Sequence, residues 1–371
     1  MKKIGKQVCM LETSKTNPRN GEGSFIRLKD GRIMYAYTRY IGEDWVDDAI
    51  ACISACYSAD EGETWSAPVT ILEKPEDALN IMSVSLLRMN NGDLGMFYLQ
   101  KNLRGDNTVC VPIFRRSQDE GKTFGEPIYP MSKDNYVVLN NDRVIKLSNG
   151  RILMTVADHG NRMTGKTSAG TVKVYYSDND GESFKKANND ISSHFSDYTK
   201  FQEPGLFEMS DGKIWLYIRT GYGCQYQAFS EDNGESWSEP TPNWRFTSPD
   251  SPMLVKKVGN YTLAIFNPVP FSCVFTQTED WGSPKRTPFV CAVSLDDAKS
   301  FTDMTYNSRN GDYASFVKKC YYLEDDFSNS YCYPAVIEVD EGFLVAYYHS
   351  NGSDICLNAT KITKVRFSEI E

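Results

Sequence analysis

Ser58-Ala59-Asp60-Glu61-Gly62-Glu63-Thr64-Trp65 is the stretch that decides the architecture, because the chain repeats it four more times. The further copies occupy residues 117–124, 177–184, 230–237 and 294–301, the last with Ala298 where the others carry Gly. The pattern reads as a turn: the Asp or Asn bonds back to backbone two residues on, and Gly accepts a conformation that a side chain would strain. The closing aromatic anchors the turn on apolar surface. Copies recur every 53 to 64 residues, a period that suits one small antiparallel sheet per repeat and predicts a β-propeller.

A second periodicity predicts six blades. Six segments share an apolar run, a turn centred on Gly and a second apolar run: residues 25–37 around Gly31, 86–98 around Gly92, 144–156 around Gly150, 206–218 around Gly212, 253–266 around Gly259 and 336–348 around Gly342. Each reads as a β-hairpin. The first five are each followed by an eight-residue turn. The sixth leads into final strands near residues 355–361, and the N-terminal stretch Lys6–Leu11 is expected to close the ring, because closure removes an exposed strand edge.

Composition sets bounds on partners and compartment. With no linker in sight, the 371 residues read as a single all-β domain, and 13 % aromatic residues suit that class. A formal charge of −9 argues against a nucleic-acid partner. The basic start has no apolar stretch after it and no later run approaches a membrane span, so a cytoplasmic chain is expected. Among ten cysteines, Cys52 and Cys56 have ligand-like spacing but fall in a strand, where they read as buried structural thiols. His159, His194 and His349 lack sequence-local metal partners. No metal and no cofactor is expected.

In a propeller the first strand of each blade lines the axis, so its opening residues converge on one mouth of the ring. Counting back nine residues from each hairpin Gly gives Glu22, Ser83, Asn141, Glu203, Asp250 and Tyr333, all polar. Six polar side chains at one equivalent register point to a polar site on the axis, because unpaired buried polar groups are costly.

The five turns resemble the Asp-boxes of the sialidase superfamily, and the six hairpins match its six blades. The resemblance covers nearly the whole chain and implies residue roles. Glu203 in Gln202-Glu203-Pro204-Gly205 matches the family's fourth-blade Glu, and Arg219 and Arg286 match two of its substrate-gripping arginines. Tyr333 matches its nucleophilic Tyr, with Tyr331 as the neighbour in an alternative register. Asp47 and Asp48 stand on the loop that carries its acid/base Asp. The family opens its first blade with a third Arg, where this chain has Gly21-Glu22-Gly23. Arg19 nearby, or Asp142 and Arg143 in the unusual opening Asn140-Asn141-Asp142-Arg143, are the candidates to reach into the site. Glu22 beside an anionic substrate would be repulsive by up to about 4 kcal/mol for charges 4 Å apart at intermediate dielectric.

The implied chemistry is coherent. Tyr has a pKa of about 10 and needs a base within reach, the role implied for Glu203. A neutral phenol also suits an anomeric carbon that bears a carboxylate, and sialidases are the Tyr exception among retaining glycosidases. Asp48 or Asp47 would protonate the leaving oxygen, and Arg219 and Arg286 would hold a carboxylate. The expected activity is hydrolysis of a terminal acidic or related sugar. Two alternatives stay open: a lyase in which Tyr333 or His159 abstracts a proton beside a uronate, and a propeller that binds carbohydrate without catalysis.

Overall fold

The computed structural model describes residues 1–160, 170–193, 201–270, 286–301, 319–350 and 357–371. Six antiparallel sheets form the six blades of a β-propeller. Blade 1 holds Asn20–Arg27, Ile33–Tyr40, Ala51–Ser58 and Val69–Leu72; blade 4 holds Gln202–Glu208, Ile214–Arg219, Cys224–Ser230 and Thr241–Thr247; blade 5 holds Leu254–Val258, Tyr261–Phe266, Phe289–Ser294 and Cys320–Glu324. Blade 6 joins Tyr331–Val339, Gly342–His349 and Ala359–Arg366 to the N-terminal strand Lys6–Leu11 as its outermost member, so the ring closes as expected. Its third strand begins later than residue 355; residues 351–356 lie outside the described residues.

Two blades depart from the four-strand pattern. Blade 2 has Ala78–Arg88, Leu94–Arg104 and Asn107–Ser117, with isolated bridges Phe114–Ile128 and Cys110–Tyr136 in place of a fourth strand. In blade 3 the first strand is split into Val137–Val138 and Ile145–Lys146, which both pair with Ile152–Asp158. Thr171–Ser177 and Lys185–Lys186 complete that blade. The break spans the polar segment Asn140-Asn141-Asp142-Arg143, of which the Asn141, Asp142 and Arg143 side chains reach other blades.

The core is distributed as wedges between neighbouring blades. Ile53, Ile81, Val84 and Tyr98 join blades 1 and 2, while Phe207, Trp215, Phe266 and Phe301 join blades 4 and 5. Strands buried on both faces read as near-continuous apolar runs, such as Ile214–Arg219 and Gly342–His349. All eight cysteines among the described residues are free thiols, and Cys52 and Cys56 are buried in one strand. Among the described residues no helix is long and apolar enough to cross a membrane.

The eight-residue turns differ in detail from the expected Asp turn. In the first, the Asp60 carboxylate accepts from the Ser58 hydroxyl at 2.8 Å and from Thr64 N–H, four residues on, at 2.9 Å; the Ser58 oxygen accepts Gly62 N–H at 2.8 Å. The residue after the Asp or Asn always has positive φ, and its side chain reaches the hairpin of the preceding blade. Glu120 accepts Lys29 N–H at 2.9 Å, Asp180 accepts Asn90 N–H at 2.8 Å, and Asp297 accepts Ser210 N–H. Glu61 reaches Asp340 N–H of blade 6 at 3.2 Å, across the ring closure. Blade 6 has no such turn, and Glu338 serves in its stead by accepting Gly259 N–H of blade 5 at 2.8 Å. These turns therefore tie adjacent blades at the hairpin end of the ring, opposite the strand openings.

In the fifth turn Ala298 sits at φ 62° with Asp297 also at 62°. A side chain in the left-handed region costs about 1 kcal/mol or more. Ala298→Gly is expected to raise the unfolding free energy by roughly 0.5–1 kcal/mol, read from the denaturant midpoint at unchanged slope.

Candidate active site

The openings of the first strands are backbone-strained at equivalent places. Glu22 (φ 53°), Ser83 (62°), Glu203 (43°) and Tyr333 (55°) all lie in the left-handed region, and each coincides with a register shift against the second strand. Such a bulge turns one side chain out of the sheet and onto the axis. Non-Gly residues held this way cost roughly 1–3 kcal/mol each, and such strain concentrates at functional sites. Blade 3 follows the rule one residue later than expected, at Asp142 (53°) in place of Asn141. Asp250, also nine residues before its Gly, is not in this conformation. In blades 1 and 4 the chain beside the bulge must be thin: a Cβ on Gly205 would lie 2.2 Å from the Tyr217 ring, and one on Gly23 would lie 2.5 Å from Ala36 O.

These openings converge on a cavity of about 350 Å³. On one side the Tyr333 hydroxyl donates to Glu203 Oε1 at 2.6 Å. Arg219 Nη1 donates to Glu203 Oε2 at 2.6 Å and to the Tyr333 oxygen at 3.3 Å, while its Nε is held by Asp250 at 2.7 Å. The Arg286 guanidinium lies 5.6 Å from the Tyr333 ring centroid and donates to Cys332 Sγ at 3.2 Å. Burial, then the Glu203 charge, pushes the Tyr333 phenol well above its ordinary value despite both arginines, so it is neutral at rest.

On the other side stands Arg19, buried and doubly paired. Its Nη2 donates to Glu22 Oε1 at 3.1 Å, its Nη1 to Asp47 Oδ1 at 2.6 Å and its Nε to the Tyr348 hydroxyl at 3.0 Å. Burial lifts the Glu22 carboxyl to about 7, with Arg19 opposing and Asp47 and Glu203 adding to the rise.

Arg19, Glu22, Asp47, His159, Glu203, Arg219, Arg286 and Tyr333 line the cavity together. Ser83 and Asn140 line it too, whereas Asp48, Asn141, Asp142, Arg143, Asp250 and Tyr331 do not. Asp250 stands behind Arg219, and Asp48 turns to Lys101 Nζ at 3.0 Å. Tyr331 is buried, its hydroxyl donating to Asp326 O at 3.3 Å. Asn141, Asp142 and Arg143 are spent on contacts across the axis, as hydrogen-bonding partners of other blades. His349 packs on Tyr331, and His194 lies outside the described residues.

Lys101 was not foreseen. It is 2 % exposed, lines the cavity, and donates to Asp47 O at 2.7 Å, which ties the Asp47–Asp48 loop to blade 2. Burial alone would lower its ammonium, but Tyr136, Cys110, Asp47 and Asp48 together hold it above the ordinary lysine value. In the sequence it stands in the polar run Gln100-Lys101-Asn102 of a strand that ends in Arg104, which gives no signal of a buried role. Among the described residues no group of three or more His, Cys, Asp or Glu could hold a metal ion. A larger cavity of about 640 Å³ beside Trp215, Trp244 and Phe301 contains none of the strand-opening residues, so the axial cavity is the candidate site.

The pattern of the BNR repeat-like domain family matches residues 47–346. The chain belongs to that family, within the sialidase-like propellers. A search of curated protein sequences finds no match. Among solved structures it is similar to a Dyadobacter fermentans protein of unknown function, with a TM-score of 0.72 at 19 % identity over 97 % of this chain and 99 % of that one. It is similar to the intramolecular trans-sialidase of Ruminococcus gnavus, solved with oseltamivir carboxylate, with a TM-score of 0.70 at 14 % identity over 99 % and 98 % of the two chains. The NanB sialidase of Streptococcus pneumoniae gives a TM-score of 0.70 at 13 % identity, over 99 % of this chain and 71 % of that one. At these identities the likeness concerns the fold.

Glu22 makes stability depend on pH in a defined direction. A carboxyl whose folded pKa is raised favours the fold when protonated, so its contribution is full below about pH 4.5 and is lost as pH rises to about 7. Glu22→Gln removes that titration. The unfolding free energy of the variant minus that of the wild type should therefore increase by up to roughly 3 kcal/mol between pH 4.5 and 8, measured by denaturant titration.

Proposed function

We propose that this chain is a retaining glycoside hydrolase of the sialidase type, acting on a terminal carboxylated or related sugar. The observation that carries the reading is the Tyr333 hydroxyl donating at 2.6 Å to Glu203, with Arg219 bridging both groups inside the axial cavity. Tyr333 gives its proton to Glu203 as its oxygen attacks the anomeric carbon, and Arg219 at 3.3 Å steadies the phenolate charge as it develops. Asp47, which must carry a proton at this stage and so be released from its ion pair with Arg19, gives that proton to the departing glycosidic oxygen. A tyrosyl glycoside results. Asp47 then takes a proton from water, the water oxygen attacks the anomeric carbon, and Tyr333 recovers its proton from Glu203. Asp47 is preferred over Asp48 for this role because it faces the cavity whereas Asp48 faces Lys101.

Arg286 and Arg219 would hold the sugar carboxylate. Arg286 is the better free cation, since its one side-chain hydrogen bond among the described residues goes to a thiol. Arg19 is already matched by Glu22 and Asp47, so it is no substitute for the family's third arginine. Glu22 would contact a hydroxyl or amide of the substrate. His159 also lines the cavity, which keeps elimination beside a uronate as the rival reaction.

Tyr333→Phe keeps the ring but removes the attacking oxygen, so turnover should fall by about three or more orders of magnitude while the melting temperature stays near wild type; Glu203→Gln should fall almost as far. The assay is release of free sugar from acidic glycosides. Wild-type turnover undiminished in Tyr333→Phe overturns the nucleophile, an unsaturated chromophore means elimination, and saturable binding without product means a binding propeller. Weak activity is expected on simple activated sialosides, and efficient turnover there would show that two arginines suffice.

The raised Glu22 adds a pH signature. Above about pH 7 its charge repels an anionic sugar, so kcat/KM on an acidic substrate should fall through that range. Glu22→Gln should flatten this limb, as read from pH–rate profiles of both proteins.

A further inference from the structure

Beneath the cavity floor, the broken first strand of blade 3 fills the ring axis with polar groups from one short segment. Asn141 Nδ2 donates to Gly23 O of blade 1 at 2.9 Å and to Pro334 O of blade 6 at 3.4 Å. Arg143 reaches the other way, its Nη2 donating to Met253 O beside blade 5 at 2.5 Å. The Arg143 side chain is among the largest fully buried ones, at 1 % exposure, yet its Nε and Nη1 have no hydrogen-bond partner among the described residues. Nearby in the chain, Asn140 Nδ2 is also a buried donor without a partner among them.

Charge makes this more than a packing detail. The carboxylate that follows Asn141 is already saturated: Asp142 Oδ1 accepts from Ser24 Oγ at 2.9 Å and Lys256 Nζ at 2.7 Å, and Oδ2 accepts from Lys256 Nζ at 2.7 Å and Val336 N–H at 3.1 Å. Asp142 therefore neutralises Lys256, and Arg143 forms no ion pair among the described residues. Its remaining support is the Tyr217 ring, 5.7 Å from the guanidinium carbon. A cation–π contact is weak beside the cost of burying a guanidinium without a counter-charge.

We propose that a small monovalent anion, chloride under ordinary conditions, binds on the propeller axis against Arg143 Nε and Nη1, as a structural ion beneath the cavity. Such an ion satisfies two buried donors and cancels the one uncompensated charge of this layer. A doubly charged oxyanion would over-compensate it and costs far more to desolvate, since that cost rises with the square of the charge. The site is separate from Tyr333 and Glu203, and the inference does not rest on the hydrolase reading. Water is the rival occupant, because Asn141 Oδ1 is a buried acceptor to which it could donate.

The test is thermal unfolding of the full chain, with chloride titrated against gluconate at constant ionic strength. A bound ion stabilises the fold by mass action, so the midpoint should rise by roughly 2 °C or more between 1 and 100 mM chloride. Bromide should act likewise. Arg143→Met, which keeps the length without the charge, should unfold at a temperature independent of halide. An unchanged wild-type midpoint, or halide dependence that persists in Arg143→Met, overturns the proposal in favour of water. Should that variant fail to fold, wild-type crystals soaked in bromide decide: an anomalous peak within hydrogen-bond reach of Arg143 Nε or Nη1 supports the ion, and its absence there refutes it.

Discussion

The carboxylate of Asp142 is the tie on which the rest of the ring depends. Only 4 % of its side chain is exposed, and it joins Ser24 of blade 1, Lys256 of blade 5 and Val336 of blade 6. Its own N–H donates to Val84 O of blade 2 at 3.0 Å. The apolar wedges between blades are strong but non-directional, and they do not by themselves set how near the strand openings approach the axis. A saturated carboxylate does, because hydrogen bonds fix distance and angle. Removing it would leave the buried Ser24 hydroxyl and the Val336 N–H without that partner, at about 1–3 kcal/mol for each buried group left unsatisfied, and would free the partly exposed Lys256 ammonium.

The two ends of the ring have opposite character. At the hairpin end, acidic or amide side chains of the turns cap backbone N–H groups or amides of the neighbouring blade, each from a non-Gly residue at positive φ that a Gly follows in four of the five turns. At the axis end, five openings hold non-Gly residues at positive φ, and the surrounding sheet must keep them there. The turns repeat because each does the same task between neighbouring blades, whereas the openings differ in identity because each sends a different side chain toward the axis.

Charge in the cavity is nearly balanced in pairs. Arg19 meets Glu22 and Asp47, Arg219 meets Glu203 and Asp250, and Lys101 meets Asp48. Arg286 has no carboxylate partner among the described residues, so the cavity offers one unneutralised cation beside a neutral tyrosine. This pairing also accounts for the misfit at the first blade: an arginine is present there, but its charge is consumed by the two acids that accompany it.

The sequence by itself determined the six blades, the closing N-terminal strand and the placing of Glu203 and Tyr333 at strand openings, because turn chemistry and strand periodicity are local and repeat at a fixed distance from each hairpin; Arg219 and Arg286 were legible only through the resemblance to sialidases. The count of nine residues also found Glu22 and Ser83, since the same bulge recurs there. It failed in blade 3, where a broken strand moves the left-handed residue from Asn141 to Asp142. Only the tertiary structure decided that Arg143 turns toward Met253, that Asp47 and not Asp48 faces the cavity, and that Lys101 enters from a second strand without any motif. Those outcomes depend on partners 50 to more than 100 residues away, such as Lys101 with Asp48 and Arg143 with Met253. Side-chain direction at a ring axis is settled by which distant donor or acceptor is within reach, and no local pattern records that.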